Sequence, residues 1–248
     1  MSVLEIRNLN KSFGAITVSR DISLSIGAGQ CHALIGPNGA GKTTLIHQIS
    51  GVLLPDSGQI SLDGQDISTL SVAKRVQAGL GRTFQITSVL PSFSVLENTA
   101  IAIQAKSGSS MRFFRDAARE TTLNDAAQAV LNRVGLGDRA HVRAANLSHG
   151  ELRLLELAIA LAGDPKFLLL DEPMAGLGRT ESAALVTLLA ELRGTLPMLL
   201  VEHDMDAIFQ LADTVSVLVD GTVVARGTPD EVRASPAARA AYLGEGTE

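Results

Sequence analysis

Hydrophobic positions change their spacing twice along this chain. Up to about residue 67 they fall in short β-rich stretches, "VLEIRNL", "DISLSIGAG" and "QCHALIG". "GQISLDGQDI" then predicts a hairpin that turns at Asp63-Gly64. From about Ser94 to Val134 the character is helical and locally more charged, with "MRFFRDAARE" in the middle and Ser107 to Ser110 as a flexible joint. After Asp164-Pro165 strand and helix alternate. Strand "KFLLLD" leads to a helix from about Thr180 to Arg193, strand "MLLVEH" to helix "MDAIFQLAD", and strand "VSVLVDG" follows. Near-continuous apolar strands alternating with helices mark a parallel sheet covered on both faces. The predicted fold class is α/β, with a mostly parallel sheet, a β-rich edge from the amino-terminal third and a helical insertion near residues 86 to 160.

One helix begins oddly. In "LSHGELRLLELAIAL", Leu147, Leu154, Leu155, Ala158, Ile159 and Ala162 fall on one face at helical spacing, yet the start is small, polar and flexible. Ser148 and Glu151 stand in S-x-x-E register, so a capping box that satisfies orphan amides is one reading. The other is that a bare helix N-terminus binds phosphate.

Elsewhere the chemistry is more explicit. "GPNGAGKTT", Gly36 to Thr44, fits G-x-x-x-x-G-K-[ST] between the strand "CHALI" and the helix "TTLIHQIS". Gly36, Pro37, Asn38, Gly39, Ala40 and Gly41 would form the loop that wraps phosphates, with the amides of its non-proline residues pointing inward. Lys42 would place its charge on the β- and γ-phosphates, Thr43 would offer a hydroxyl to Mg²⁺, and Thr44 would complete the nucleotide-binding set. In "FLLLDEP" four apolar residues deliver Asp171 to the carboxyl end of a buried strand, the edge where open α/β sheets bind ligands. A carboxylate there suits Mg²⁺, and Glu172 beside it suits the orientation or deprotonation of an attacking water. Gln85 and His203 also close strands at that edge, although such residues are often surface or capping groups.

Composition narrows the partners. A length of 248 residues, 46% of them hydrophobic, supports one large α/β domain or a core with a small appendage. A net charge of −5 argues against nucleic acid as the main partner. The single cysteine, Cys31, lies in an apolar run and reads as a reduced core residue. "MSVLEIRNLN" lacks the layout of a signal peptide, and no apolar run approaches the roughly 18 to 20 residues of a spanning helix. The expectation is a soluble chain whose membrane role comes through a partner.

With "GPNGAGKTT", "TFQ", "LSHGE", "LLLDEP" and "VEH" in that order, the chain resembles ABC-type ATPase subunits over almost its whole length. The resemblance implies a single ABC ATPase domain that hydrolyses ATP with Mg²⁺. Its nucleotide-binding core would be 1–85 and 163–248, and a helical subdomain, 86–162, would carry the signature. It also implies that Ser148 and Gly150 approach the γ-phosphate of a second subunit's ATP. Gln85 would sense Mg²⁺ and the transmembrane partner, His203 would contact the γ-phosphate, and Phe13, in "NKSFGA", would stack on adenine.

The sequence departs from the family pattern at three positions. His149 replaces a glycine, Glu151 replaces a glutamine, and Gly178 stands where an aspartate is usual. Glu151 should repel ATP unless it turns back onto its own helix. Softer features, among them "GRTFQ…SFSVLENTAIA" and the ending "AYLGE", resemble ATPases of branched-chain amino-acid uptake. That implies permease subunits, a periplasmic or extracellular substrate-binding protein acting indirectly, and a place at the cytoplasmic face of the plasma membrane. Urea and amide importers, and ATPases of cofactor assembly, remain the alternatives.

Overall fold

The computed structural model describes residues 2–83, 89–106 and 121–243. Gln85, the joint at Ser107 to Ser110 and "MRFFRDAARE" lie outside them. Four strands form an antiparallel sheet: β1 (Ser2–Phe13), β2 (Ile16–Gly27), β4 (Ser57–Leu62) and β5 (Gln65–Asp66), in the order β2-β1-β4-β5. The hairpin expected at Asp63-Gly64 is there, and φ is positive at both residues, as a two-residue primed turn requires.

The second sheet contains β3 (Cys31–Ile35), β6 (Leu80–Arg82), β7 (Phe167–Asp171), β8 (Met198–Val201), β9 (Thr214–Val219) and β10 (Thr222–Gly227). Its order is β10-β9-β3-β8-β7-β6, parallel throughout except for the β9–β10 hairpin. The period-two alternation of side chains splits each central strand between two cores. Leu168, Leu170, Met198, Leu200 and Cys31 face α5 (His149–Ala162), α6 (Arg179–Arg193) and α7 (Met205–Leu211). Leu34, Leu169, Leu199 and Val201 face α1 (Lys42–Ser50) and the antiparallel sheet. Near the β9 end, Ala33, Ile35, Val215 and Val217 pack on α7, α8 (Pro229–Ala234) and α9 (Pro236–Leu243). Strands buried on both faces are therefore apolar at most positions, with His32, Asp171 and Ser216 as buried polar exceptions. Cys31 is buried as expected, and burial pushes its thiol up to about 12, so it stays protonated.

Two features were not legible from the sequence. The helix α5 is buried on more than one face, because Leu157, Ala160 and Leu161 are covered as well as Leu155 and Ala158. It lies between the sheet and the helices α3 (Val95–Lys106) and α4 (Thr121–Arg133), so a single apolar stripe understates its burial. The other is Arg75 in α2 (Val72–Ala78), which is fully buried. Its guanidinium donates to the carbonyls of Gln48 (2.5 Å), Ile49 (2.8 Å), Ser68 (2.7 Å) and Leu70 (2.9 Å). It thereby satisfies the carboxyl end of α1 and fixes the helix that carries the phosphate loop.

His32, on β3, is buried against Ser216 Oγ at 2.9 Å, and burial, assisted by Arg226, lowers its pKa from 6.5 to about 4. Above the unfolded value both states hold a neutral ring, so stability is fully present there. It falls as pH drops from 6.5 toward 4, because only the unfolded chain takes up the proton, at about 1.4 kcal/mol per pH unit. Urea unfolding at pH 7.5 and pH 4.5 should show the wild type losing about 2–3 kcal/mol more than His32→Gln. Equal losses would mean that the buried imidazole carries no such penalty.

Candidate nucleotide site

Parallel pairing sets the site. Leu34 is level with Val201, and Val201 with Asp171, so β3, β7 and β8 end side by side. The loops that leave them open on one edge of the sheet.

The first of these is the glycine-rich loop. Gly41 has φ +104 and caps α1, and a Cβ there would lie 2.6 Å from the Val18 carbonyl oxygen. Only glycine fits both constraints. Pro37 is half-buried, Asn38, Gly39 and Thr43 are exposed, and Thr44 is half-buried, while Gly36 and Ala40 are buried beneath them. Lys42 Nζ donates to the carbonyls of Gly36 (2.6 Å) and Pro37 (2.9 Å), so the lysine arches over its own loop.

The close approach of Val18 also docks the β1–β2 hairpin on the loop. Phe13 and Ile16 pair across the hairpin tip, which puts them on one face, and they are 52% and 68% exposed. Lys11 Nζ lies 5.5 Å from the Phe13 ring centroid and pairs with Asp56. Asp56 also accepts from the Ser12 amide at 2.7 Å, so the aromatic tip is held from below.

Asp171 is 3% exposed, and its Oδ2 makes no hydrogen bond. Arg82 Nη2 approaches that oxygen at 3.7 Å. Burial raises the Asp171 pKa and Glu172 adds to the rise, against the pull of Arg82, His47 and Lys42. A buried carboxylate oxygen with an unfilled acceptor position, at the same sheet edge as the loop that carries the exposed Thr43, is chemistry that fits a divalent cation.

Glu172 takes φ +48, uncommon for a residue with a Cβ, and its amide donates to Val201 O at 2.9 Å. Its Oε1 is 2.9 Å from His203 Nε2. The structure thus brings Lys42, Thr43, Asp171, Glu172 and His203 to one edge.

At the α5 tip the capping box is present. The Glu151 amide donates to Ser148 Oγ (3.2 Å), and the Ser148 amide donates to Glu151 Oε2 (2.8 Å). Glu151 also pairs with Arg139 at 2.7 Å, and its pKa is lowered, by the Ser148 amide first. The carboxylate has turned back, as the sequence required. Ser148 and His149 are exposed, whereas Gly150 is buried against Glu181 of α6. Glu181 Oε2 accepts from the Gly178 amide at 3.0 Å, so Gly178 serves as the start of α6.

Sequence reasoning missed Arg82, Glu181, Arg139, Asp56 and Glu202. Arg82 and Glu202 are each within three residues of a residue it did single out, but a neighbour's burial is not written in a motif.

The fold and the loop together define a phosphate-loop nucleotide-binding protein. The model of the family described as "ABC transporter" matches residues 19–175, and this chain belongs to that family. Residues 222–248 match a second model, "Branched-chain amino acid ATP-binding cassette transporter". The chain is 36% identical to the high-affinity branched-chain amino acid transport ATP-binding protein LivG of Salmonella typhimurium, over 98% of each. It is 32% identical to the lipopolysaccharide export system ATP-binding protein LptB of Haemophilus influenzae, over 99% of this chain and 98% of that one. A solved ATP-binding cassette of an ABC transporter in its ADP conformation superposes with a TM-score of 0.87. It is 28% identical and covers 98% of this chain and 99% of that chain. The protein is an ABC ATPase that binds nucleotide. Among the described residues no helix is long and apolar enough to cross a membrane.

Proposed function

We propose that this chain is the ATP-hydrolysing subunit of a membrane importer for branched-chain or other hydrophobic amino acids. The match at residues 222–248 carries the substrate class, because the match at 19–175 is common to the whole family.

The residues divide the work as follows. The amides of the glycine-rich loop and Lys42 bind the phosphates, and Phe13 receives the adenine ring on its exposed face. Thr43 and Asp171, with Gln85, hold Mg²⁺, which when bound offsets phosphate charge. Glu172 accepts a proton from the attacking water. His203, hydrogen-bonded to Glu172, holds that carboxylate in place and reaches toward the γ-phosphate. Ser148 and Gly150 act on the ATP of a second ATPase subunit. We assign 1–85 and 163–248 to the core and 86–162 to a helical subdomain, because α3, α4 and α5 pack on one another.

Attachment to permease subunits at the cytoplasmic face is supported by an apolar groove of about 320 Å³ between α2, α3 and α5. Val76 and Ile159 line it, and Val72 and Ile101 are exposed apolar side chains on the same helices. Docking by a permease would cover them. A substrate-binding protein on the far side would serve the complex without touching this chain.

The similarity to LptB supports a second reading, an export system. Purification of the native complex, with its membrane subunits identified and leucine and urea uptake measured in cells lacking the chain, separates these. We expect an amino-acid permease to copurify and leucine uptake alone to fall. Recovery of export components, or loss of urea uptake instead, would overturn the proposal.

A further inference from the structure

Behind the Glu172–His203 pair lies a carboxylate that the site above does not use. Glu202 is only 4% exposed, and its hydrogen-bond partners are all backbone amides. Oε1 accepts from Met174 at 2.8 Å, in the loop that leaves β7 through Glu172. Oε2 accepts from His203 at 2.9 Å and, more distantly, from Asp204 at 3.5 Å, at the start of α7. One side chain therefore grips both loops, two residues beyond Glu172 on one side and at His203 itself on the other.

We propose that Glu202 is a positioning residue that sets the 2.9 Å contact between Glu172 and His203. The inference rests on the reading of that pair as part of the hydrolytic site. The loops need such a fastener. Glu172 is in the left-handed region and its amide bonds to Val201, while the residues after it lie beyond β7, which ends at Asp171. A carboxylate accepts at both oxygens, which is what two separate amide donors demand. Glutamine has the same shape but only one accepting oxygen. Its NH₂ group must face either Met174 or His203, and whichever loop it faces is released. In both cases the register between Glu172 and His203 is lost.

The test compares the full-length wild type with Glu202→Gln, His203→Ala and the double variant, by Mg-ATP affinity and by ATP turnover, single-turnover where turnover is slow. Glu202→Gln should keep ATP affinity within twofold and lose tenfold or more in kcat. In the His203→Ala background the same change should alter turnover by less than twofold, because the pair it positions is already gone. Wild-type turnover in Glu202→Gln, beside a slow His203→Ala, would overturn the positioning role alone. An equal loss in both backgrounds would also overturn it, since a general weakening of the fold does not depend on His203. Wild-type turnover in His203→Ala would instead remove the underlying reading of the pair, and the positioning role with it. Should Glu202→Gln fail to fold, amide exchange in the wild type decides. Met174 and His203 amides protected like those of β7 and β8 support the clasp, and loop-like exchange at both overturns it.

Discussion

Glu172→Gln should bind ATP as tightly as the wild type and hydrolyse it at least about 100-fold more slowly. The substitution keeps the shape and leaves a hydrogen-bonding group 2.9 Å from His203 Nε2, so the loop geometry has no reason to change. The Glu172 amide remains bonded to Val201 O, because that contact belongs to the backbone. What disappears is the proton acceptor. An amide oxygen is far too weak a base to take a proton from water, whereas a carboxylate just past the end of β7 is placed to do so. The substitution also removes a negative charge that pushes the Asp171 pKa upward, which leaves Asp171 at least as well ionised as before. Nucleotide titration alongside steady-state turnover checks the split. Turnover within a factor of two of the wild type would make Glu172 a structural turn residue, held at φ +48 for the sake of the loop.

Lys42→Ala should fold and should lose ATP affinity by roughly 100-fold or more. The lysine donates to two carbonyls of its own loop, at 2.6 and 2.9 Å. Its ammonium has three donors, so a phosphate oxygen can be exchanged into its set of acceptors. Charge-assisted contacts to phosphate contribute about 1.5–3 kcal/mol each, and two of them correspond to a factor of about 100 or more in affinity. Stability should change little by comparison. The helix α1 stays anchored at its far end by Arg75 and along its length by Leu45, Ile46 and Ile49. Calorimetric titration with ATP, with thermal melts of both proteins, reads the two effects separately. Equal nucleotide binding by variant and wild type would refute the assignment of the loop, and an unfolded variant would show that the Lys42 clasp is structural.

The alternation of strand and helix after Asp164, the phosphate loop and the acidic strand end were all legible in the sequence. Each is a local pattern: glycines that permit a turn, an apolar run of strand length, a carboxylate where that run stops. The capping box was legible for the same reason, since Ser148 and Glu151 are one helical turn apart. The two readings of the "LSHGE" tip did not have to compete. Glu151 folds back to cap, while Ser148 and His149 stay exposed.

What the sequence could not state is which distant groups meet. The contact between Glu172 and His203 joins residues 31 positions apart, and that between Met174 and Glu202 joins residues 28 apart. Both exist because β7 and β8 pair in parallel register and end together, which strand pairing decides and strand composition does not. Neither Arg75 nor Glu202 belongs to a sequence pattern that marks it for burial. They are buried because each faces backbone groups that nothing else could satisfy, four carbonyls for the cation and two loop amides for the anion, with a longer third contact to Asp204. Local sequence sets which groups are present and how the chain turns. Only the tertiary fold decides which distant groups supply a buried side chain with hydrogen bonds, and here those bonds fix the helix and the loops that form the site.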